Sequence, residues 1–379
     1  MKIADIVLDI LENPPAASPQ QHRRFASTGR TWTLITRILA EDGTEGLRID
    51  SSWGRCDEKV KYHRTYMRAH EILTRIKPEL VGRDVADREW LWSQRYIYQW
   101  WGQISDTSIS AVDEALWDLA AKLRGQPVYK LLGAARDKVP AYASMGYVED
   151  PEDYARLARS ARDAGYRAFK IRPDGGGVDR VKTIARLCRE AVGDMAFMVD
   201  GQMQFSVEEA LEIGYHLQDL DFEWWEDAIP HDQLANYDLL AERLRIPLAY
   251  TDHAAVRYPE IAELLRSHPG IRIVRSDAMR DGITGLKKVC DLAGRYGKNC
   301  EIHAYSPGNL HVTFAVENCK YYEDNVGPAI DWENMRWRAR ADDDPLRIDE
   351  DGCISAPTEP GVGYHLPDDL EERRIERLS

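Results

Sequence analysis

The chain has 379 residues, of which 44% are hydrophobic and 30% are charged. This composition supplies enough apolar side chains for a large core. The formal net charge of −14 argues against nucleic acid or an anionic membrane surface as a partner, because both attract basic surfaces. The sequence has no apolar stretch as long as a membrane span, and its start alternates like a strand rather than resembling a signal peptide. We therefore expect a cytoplasmic enzyme with a small-molecule substrate.

The first part of the chain, residues 1–130, has the pattern of a small α+β domain. Residues 1–11 and 31–39 alternate like strands, and a turn follows at residues 41–44. The clearest helix covers residues 108–123, where apolar residues recur along one face. We predict that this domain caps the region that follows.

Residues 131–340 alternate between short apolar strands and amphipathic helices, which is the pattern of βα units around a parallel sheet. A closed barrel and an open doubly wound sheet share this alternation. The tail, residues 341–379, contains no further βα unit, and we expect it to pack back on the capping domain. Eight strand candidates lie near residues 140–145, 168–172, 196–199, 222–225, 248–250, 271–274, 300–302 and 320–322.

One ionisable residue follows each of five successive strands, and this spacing favours the barrel. The five are Asp200, Glu226, Asp252, Asp277 and His303, at intervals of 26, 26, 25 and 26 residues. Such a repeat places all five side chains at one end of the sheet, where barrel enzymes build their active sites.

Three of these residues, Asp200, Glu226 and Asp252, are carboxylates that would repel one another unless they are protonated or bind a cation. Oxygen ligands that leave positions for water and substrate favour Mg²⁺. The alternative is that each acid caps a helix or forms a surface ion pair, which suits a single acid better than three in phase. We predict one Mg²⁺ at these residues.

The other two residues, Asp277 and His303, form the arrangement in which a carboxylate fixes the tautomer of an imidazole and raises its basicity. A core histidine is the alternative for His303. On an earlier strand, Lys170 and Arg172 point the same way, because strand side chains repeat every two residues. We expect them to flank the metal, whereas the alternative is a solvated basic pair.

In this order and spacing, the residues resemble the enolase superfamily and, within it, the mandelate-racemase-like proteins. The resemblance implies a modified (β/α)₇β TIM-type barrel under an α+β capping domain, one Mg²⁺ on Asp200, Glu226 and Asp252, and removal of the proton next to a carboxylate. Its motifs are residues 110–118 and 127–133, Val199-Asp200-Gly201, Trp225-Glu226-Asp227, Asp277 with Asp281-Gly282-Ile283-Thr284, His303 and residues 360–363.

Two barrel positions depart from the pattern of these proteins. The third ligand position carries Asp252 where Glu is usual, and His253 follows in place of Asn; His253 could contact metal or substrate, or pack at the strand end. Arg172 occupies the position at which these proteins carry the lysine that acts as the catalytic base. Since arginine stays protonated, it cannot readily accept the α-proton, which leaves His303 as the evident base.

A third departure is the basic loop that carries Arg23, Arg24 and Arg30. In the family this loop reads the far end of the substrate, so the arginines could bind a polyhydroxy chain or a second acid group. A flexible basic loop without a specific role is the alternative. We expect Trp53 and Ser144 to contribute to substrate binding as well.

We therefore expect a carbon–oxygen lyase that dehydrates an acid sugar, an aldonate or an aldarate, to a 2-keto-3-deoxy acid. His303 would transfer the protons, Lys170 and Glu323 would contact the substrate carboxylate, and Arg172 would supply a fixed positive charge. A racemase or epimerase on the same scaffold, and a binding protein that has lost catalysis, are the alternatives. A homo-oligomer is expected from the family and from the tryptophan-rich residues 90–101.

Overall fold

The computed structural model describes residues 1–13, 30–51, 58–98, 104–173, 176–251, 257–304, 306–325 and 348–379. In these ranges, none of the helices has both the length and the apolar character that crossing a membrane requires. The strands are β1 (Ile3–Asn13), β2 (Thr31–Ala40), β3 (Glu45–Ser51), β4 (Lys138–Ser144), β5 (Ala168–Ile171), β6 (Ala196–Asp200), β7 (Trp224–Glu226), β8 (Leu248–Tyr250), β9 (Ile273–Val274), β10 (Asn299–Cys300), β11 (Tyr322–Asn325), β12 (Cys353–Ser355) and β13 (Arg374–Leu378).

The helices lie between these strands, and a π-helical turn, Ile72–Ile76, joins the first two. They are α1 (Glu58–Glu71), α2 (Lys77–Leu80), α3 (Arg88–Ile97), α4 (Asp106–Lys122), α5 (Val128–Leu131), α6 (Pro151–Asp163), α7 (Gly177–Ala191), α8 (Val207–Asp219), α9 (Leu234–Arg243), α10 (Tyr258–Ser267), α11 (Ala278–Arg295), α12 (Pro307–Phe314) and α13 (Leu370–Arg373).

The first sheet is antiparallel, with the strand order β13-β1-β2-β3. Alternation along β1 buries Ile6, Leu8 and Ile10, and these side chains join a core with apolar residues of α4. The two strands predicted before residue 40 are therefore confirmed. The tail contributes to both sheets, because β13 pairs with β1 while β12 pairs with β4.

The second sheet forms the barrel. Among the described residues, β4 to β11 run parallel in chain order, and β11 pairs with β4, so the series curls back on itself. This pairing excludes the open doubly wound alternative. At the seam between β10 and β11, the carboxylate of Glu301 accepts the backbone N–H groups of Lys320 at 2.9 Å and Tyr321 at 3.2 Å. A side chain thus joins the two strands there.

A layer of large side chains fills the inside of the barrel below its mouth. Tyr142, Met198, Trp224 and Tyr321 pack together there, and each is buried. The rings of Tyr142 and Trp224 meet edge to face, with centroids 5.7 Å apart. Since this layer closes the floor, the cavity available to a substrate lies at the carboxyl ends of the strands.

Helix α4 of the capping domain forms hydrogen bonds with the first part of α11. Asp113 accepts hydrogen bonds from the backbone N–H and the hydroxyl of Thr284, at 2.9 and 2.6 Å, and Trp117 Nε1 donates to the same hydroxyl. Gly282 lies beside Asp113 with a φ of 69°, and a Cβ there would lie 2.6 Å from Asp113 Oδ2. Gly282 also interrupts α11, because its φ lies outside the helical range.

His311 on α12 is a buried neutral histidine that joins three parts of the chain. Its Nδ1 accepts the backbone N–H of Tyr129 at 3.1 Å, which leaves Nε2 to donate to the carbonyl oxygen of Val362 at 3.2 Å. Burial lowers the pKa of His311 to about 4, although the contact with Val362 opposes the shift.

We expect His311 to make the protein sensitive to acid. The unfolded chain binds a proton near pH 6.5 and the folded chain only near pH 4, so the free energy of unfolding falls as pH drops through this window. Urea unfolding at pH 7 and pH 4 should show that wild type loses about 3 kcal/mol more than His311→Gln. Equal losses in the two proteins would contradict this expectation.

Candidate active site

Two of the predicted metal ligands lie side by side at the mouth of the barrel. Asp200 ends β6 and Glu226 ends β7, and the two residues are in register on these paired strands. Both side chains are fully buried. Asp252, which follows β8 after one residue, and its neighbour His253 lie outside the described residues.

Lys170 and Arg172 face the same carboxylates. Arg172 Nε is 2.9 Å from Asp200 Oδ2, and Lys170 Nζ is 3.2 Å from Glu226 Oε2. Lys170 Nζ is also 3.0 Å from Glu323 Oε1. The side chain of Lys170 is fully buried and that of Arg172 is 14% exposed, so the alternative of a solvated basic pair is excluded.

The donor set that the structure describes fits Mg²⁺. Asp200 and Glu226 offer carboxylate oxygens, which are the ligands this ion prefers, and both are turned into the mouth beside cations that balance their charge. Within the part of the chain that the structure describes, no group of three His, Cys, Asp or Glu side chains is placed to hold a metal ion. The predicted triad depends on Asp252.

His303 and Asp277 are brought together as the sequence predicted. His303 Nδ1 is 3.2 Å from Asp277 Oδ2, and Asn309 Nδ2 donates to the carbonyl oxygen of His303 at 2.7 Å. Burial raises the pKa of Asp277, but the hydrogen bond to His303 and the charge of Arg280 outweigh it, so the pKa lies below its usual value. An ionised carboxylate only accepts, so Nδ1 donates the proton of this hydrogen bond, and in the neutral imidazole Nε2 has the lone pair.

Glu323 lies in β11 and adds another buried carboxylate beside Lys170 and Arg172. Burial raises the pKa of Glu323, but Lys170 and Arg275 act against it, and the pKa is held well below its usual value. Its Oε2 also accepts the backbone N–H of Ala304 at 2.8 Å, directly after His303. Glu323 is thus an anion that contacts the backbone beside the predicted base.

Arg275 and Tyr142 also lie at this site, although their sequence pattern did not single them out. Arg275 is fully buried, and its Nη2 lies 2.5 Å from Glu323 Oε2 and 3.2 Å from the hydroxyl of Tyr142. The only signal in the sequence was its position directly after the predicted strand at residues 271–274, which did not reveal its distant partners.

The predicted substrate-binding residues are only partly described. Ser144 ends β4 opposite Lys170, and its buried Oγ has no hydrogen-bond partner among the described residues. Arg30 lies directly before β2, where its Nη1 pairs with Glu12 Oε1 at 2.9 Å on the capping domain. Arg23, Arg24 and Trp53 lie outside the described residues.

Strained backbone clusters at the mouth. Gln202, Asp227, Thr251 and Ala304 have φ values of 50°, 44°, 86° and 61°, which non-glycine residues rarely adopt. Each lies within two residues of Asp200, Glu226, Asp252 or His303. Strain of this kind is typical of functional sites, where the surrounding fold stabilises it.

Comparison with known families agrees with this geometry. The family model for the mandelate racemase / muconate lactonizing enzyme N-terminal domain matches residues 6–133, and the model described as enolase C-terminal domain-like matches residues 153–370. The chain belongs to the mandelate racemase / muconate lactonizing enzyme family. The resemblance read from the sequence to the enolase superfamily is therefore confirmed.

Several relatives of this family member are named as dehydratases. It is 30% identical to arabinonate dehydratase of Saccharolobus solfataricus, over 89% of each chain, and 27% identical to L-talarate/galactarate dehydratase of Salmonella typhimurium, over 91% of this chain and 83% of that protein. D-glucarate dehydratase of Agrobacterium tumefaciens, solved in complex with magnesium, is 29% identical with a TM-score of 0.84, over 99% of this chain and 100% of the other.

These comparisons bear on the fold, the reaction class and the cofactor. The likeness to D-glucarate dehydratase over the whole chain confirms the prediction of a capped TIM-type barrel for this family member. The relatives are named dehydratases, which are carbon–oxygen lyases, in agreement with the predicted enzyme class. The magnesium in the solved relative agrees with the predicted cofactor.

Proposed function

We propose that the protein dehydrates an acid sugar, an aldonate or an aldarate, to a 2-keto-3-deoxy acid. One observation carries the proposal: Asp277 contacts the predicted base His303, while Arg172, beside Asp200, stands where a second base would be needed. A dehydratase can work from one face of the substrate, whereas a racemase needs proton transfer on both. The names of the relatives support the same reaction.

Asp200, Glu226 and Asp252 would hold Mg²⁺, which supplies positive charge to the substrate carboxylate and an adjacent hydroxyl. Lys170 would bind a carboxylate oxygen and stabilise the negative charge that develops there. Ser144 ends β4 opposite Lys170, and its buried hydroxyl would form a hydrogen bond with the substrate. Arg172 would remain a fixed cation beside Asp200.

His303 would perform both proton transfers. Its Nε2 takes the proton from C2, and the electron pair of the C–H bond moves into the enediolate. The protonated imidazole, stabilised by Asp277, then gives the proton to the C3 hydroxyl, so that the C3–O bond breaks and water leaves. The resulting enol tautomerises to the 2-keto-3-deoxy acid, and His303 is neutral again.

Incubating the purified protein with Mg²⁺ and a panel of aldonic and aldaric acids tests the proposal. We expect at least one acid to give a 2-keto acid, detected as its semicarbazone. In D₂O, unreacted substrate or product should also carry deuterium that entered by proton transfer. A panel without any keto acid and without exchange at C2 would refute the dehydratase.

The main alternative is a racemase or epimerase on this scaffold, with Arg172 or some other residue as an unexpected second base. It predicts exchange at C2 with inversion and without loss of water, so the same D₂O experiment distinguishes the two reactions. A binding protein without catalysis predicts neither exchange nor keto acid. The cytoplasmic location and the homo-oligomer stay predictions.

A further inference from the structure

A buried arginine lies at the centre of the barrel, beneath the predicted site residues. Arg275 Nη2 is 2.5 Å from Glu323 Oε2, and its Nε is 3.3 Å from Glu226 Oε1. Both Nη1 and Nη2 lie 3.2 Å from the hydroxyl of Tyr142. One guanidinium therefore joins its own strand to β4, β7 and β11.

Arg275 and Lys170 contact the same two carboxylates. Lys170 Nζ is 3.0 Å from Oε1 of Glu323 and 3.2 Å from Oε2 of Glu226. The four fully buried side chains form a closed ring with two positive and two negative charges. Since buried charges are costly unless they are paired, losing either cation removes compensation from both carboxylates, and Arg172 Nη2, 3.4 Å from Glu323 Oε1, replaces part of it at Glu323 only.

The ring matters because the proposed function gives Lys170 a second partner. When Lys170 turns toward the carboxylate of the substrate, Glu323 and Glu226 lose part of their compensation. Arg275 contacts Oε1 of Glu226 and Oε2 of Glu323, so it keeps both carboxylates paired during that exchange.

Two contacts extend from Arg275 toward the ends of neighbouring strands. Glu323 Oε2, which Arg275 binds, also accepts the N–H of Ala304 next to His303. The backbone N–H of Arg275 donates to Thr251 Oγ1 at 3.0 Å, and the Thr251 hydroxyl donates to the carbonyl oxygen of Arg275 at 2.5 Å. Thr251 and Ala304 are both strained, so these hydrogen bonds hold backbone that would otherwise relax.

We propose that Arg275 is a positioning residue of this site, which fixes Glu226 and Glu323 and, through Glu323, the backbone beside His303. The inference rests on the proposed function. Arginine suits the role because its planar guanidinium stays protonated and presents several donors in a fixed geometry. A lysine keeps the charge but has a single nitrogen, which cannot span Tyr142, Glu226 and Glu323 in the same way.

The test compares Arg275→Met and Arg275→Lys with the control Arg136→Met. Arg136 Nη2 binds the carbonyl oxygen of Val316 at 2.7 Å, outside the charged ring. We expect kcat of both Arg275 variants to fall about 100-fold, since a small misplacement of catalytic groups costs this much. KM should change less than about threefold, because Lys170 remains to bind the carboxylate. Arg136→Met should keep the wild-type kcat.

Titration calorimetry with Mg²⁺ alone adds a readout that is independent of turnover. The dissociation constant of Arg275→Met should not rise, because a positive charge next to Glu226 has been removed. A kcat of Arg275→Met within threefold of wild type would overturn the inference. Restoration of its turnover by saturating Mg²⁺ would also overturn it, since Arg275 would then serve metal retention alone.

Two further results separate a failure of this inference from misfolding of the variant and from a failure of the proposed function. If circular dichroism shows Arg275→Met to be unfolded, Arg275→Lys decides by the same kcat criterion, because it keeps the buried charge. A wild-type protein without dehydratase activity would refute the proposed function. The inference is then judged from a crystal structure of Arg275→Lys, in which the Glu323–Ala304 hydrogen bond should be broken; an intact bond would overturn it.

Discussion

The His303→Asn variant is expected to lose roughly 100- to 10,000-fold in kcat, the range that a positioned acid–base group contributes. Asparagine keeps a polar side chain near Asp277 but has no nitrogen that can accept a proton. Exchange of the C2 hydrogen with D₂O should fall in parallel, because it depends on the same proton transfer. Steady-state production of 2-keto acid and the deuterium content of recovered substrate measure the two effects.

A second Asp–His pair provides the matched control for this variant. His268 Nδ1 lies 2.8 Å from Asp238 Oδ2, on the helices that surround the barrel. His268→Asn removes the same chemical group from the same kind of contact, and we expect its kcat to stay within twofold of wild type. If His303→Asn retained C2 exchange, another residue would have to be the base, and Arg172 would be the first to examine.

The second large effect is expected from Asp200→Asn. The amide keeps the size of the side chain but removes one negative charge from the predicted metal site. Mg²⁺ affinity, measured by titration calorimetry without substrate, should fall at least roughly 10- to 100-fold, and kcat at fixed Mg²⁺ should fall with it. The loss of the ion pair with Arg172 leaves that arginine beside a neutral group.

Asp219→Asn is the control, because Asp219 is an exposed aspartate at the end of α8. It removes the same charge from the molecule without touching the mouth, and both Mg²⁺ affinity and kcat should stay at wild-type values. Circular dichroism of Asp200→Asn should match wild type, since the fold does not depend on that charge. Unchanged Mg²⁺ affinity in this variant would mean that the metal site lies elsewhere.

Much of the mouth could be predicted because a parallel barrel repeats its pattern. Each strand brings its next polar residue to the same end, so regular intervals along the chain were enough to group Asp200, Glu226, Asp277 and His303. The pairing of β6 with β7 and the contact between His303 and Asp277 agree with that expectation. The interval between these residues in the sequence was therefore sufficient to predict that their side chains lie at the same end of the barrel.

The seam of the barrel could not be predicted in this way. The sequence indicated a strand at residues 300–302, but β10 is Asn299–Cys300, and Glu301 accepts backbone N–H groups of Lys320 and Tyr321 with its side chain. Strand patterns assume that the backbone of one strand satisfies that of the next. A carboxylate that accepts these backbone N–H groups leaves no periodic pattern in the sequence, so it could not be predicted.

Arg275 was missed for a related reason. In the sequence it is one arginine directly after an apolar strand, and its importance depends on Tyr142 and Glu323, which lie far away along the chain. A buried cation acquires its meaning from the anions around it, and these become visible only when the barrel has closed.

The pairing of β13 with β1 has a consequence for how the protein folds during synthesis. The strand at the edge of the first sheet follows the entire barrel in the chain, and its Arg377 pairs with the fully buried Asp9 of β1. The ribosome therefore makes every barrel strand before the capping sheet can acquire its fourth strand. Folding from the amino-terminal strands alone cannot complete this domain, so the edge of β1 stays unpaired until β13 has been synthesised.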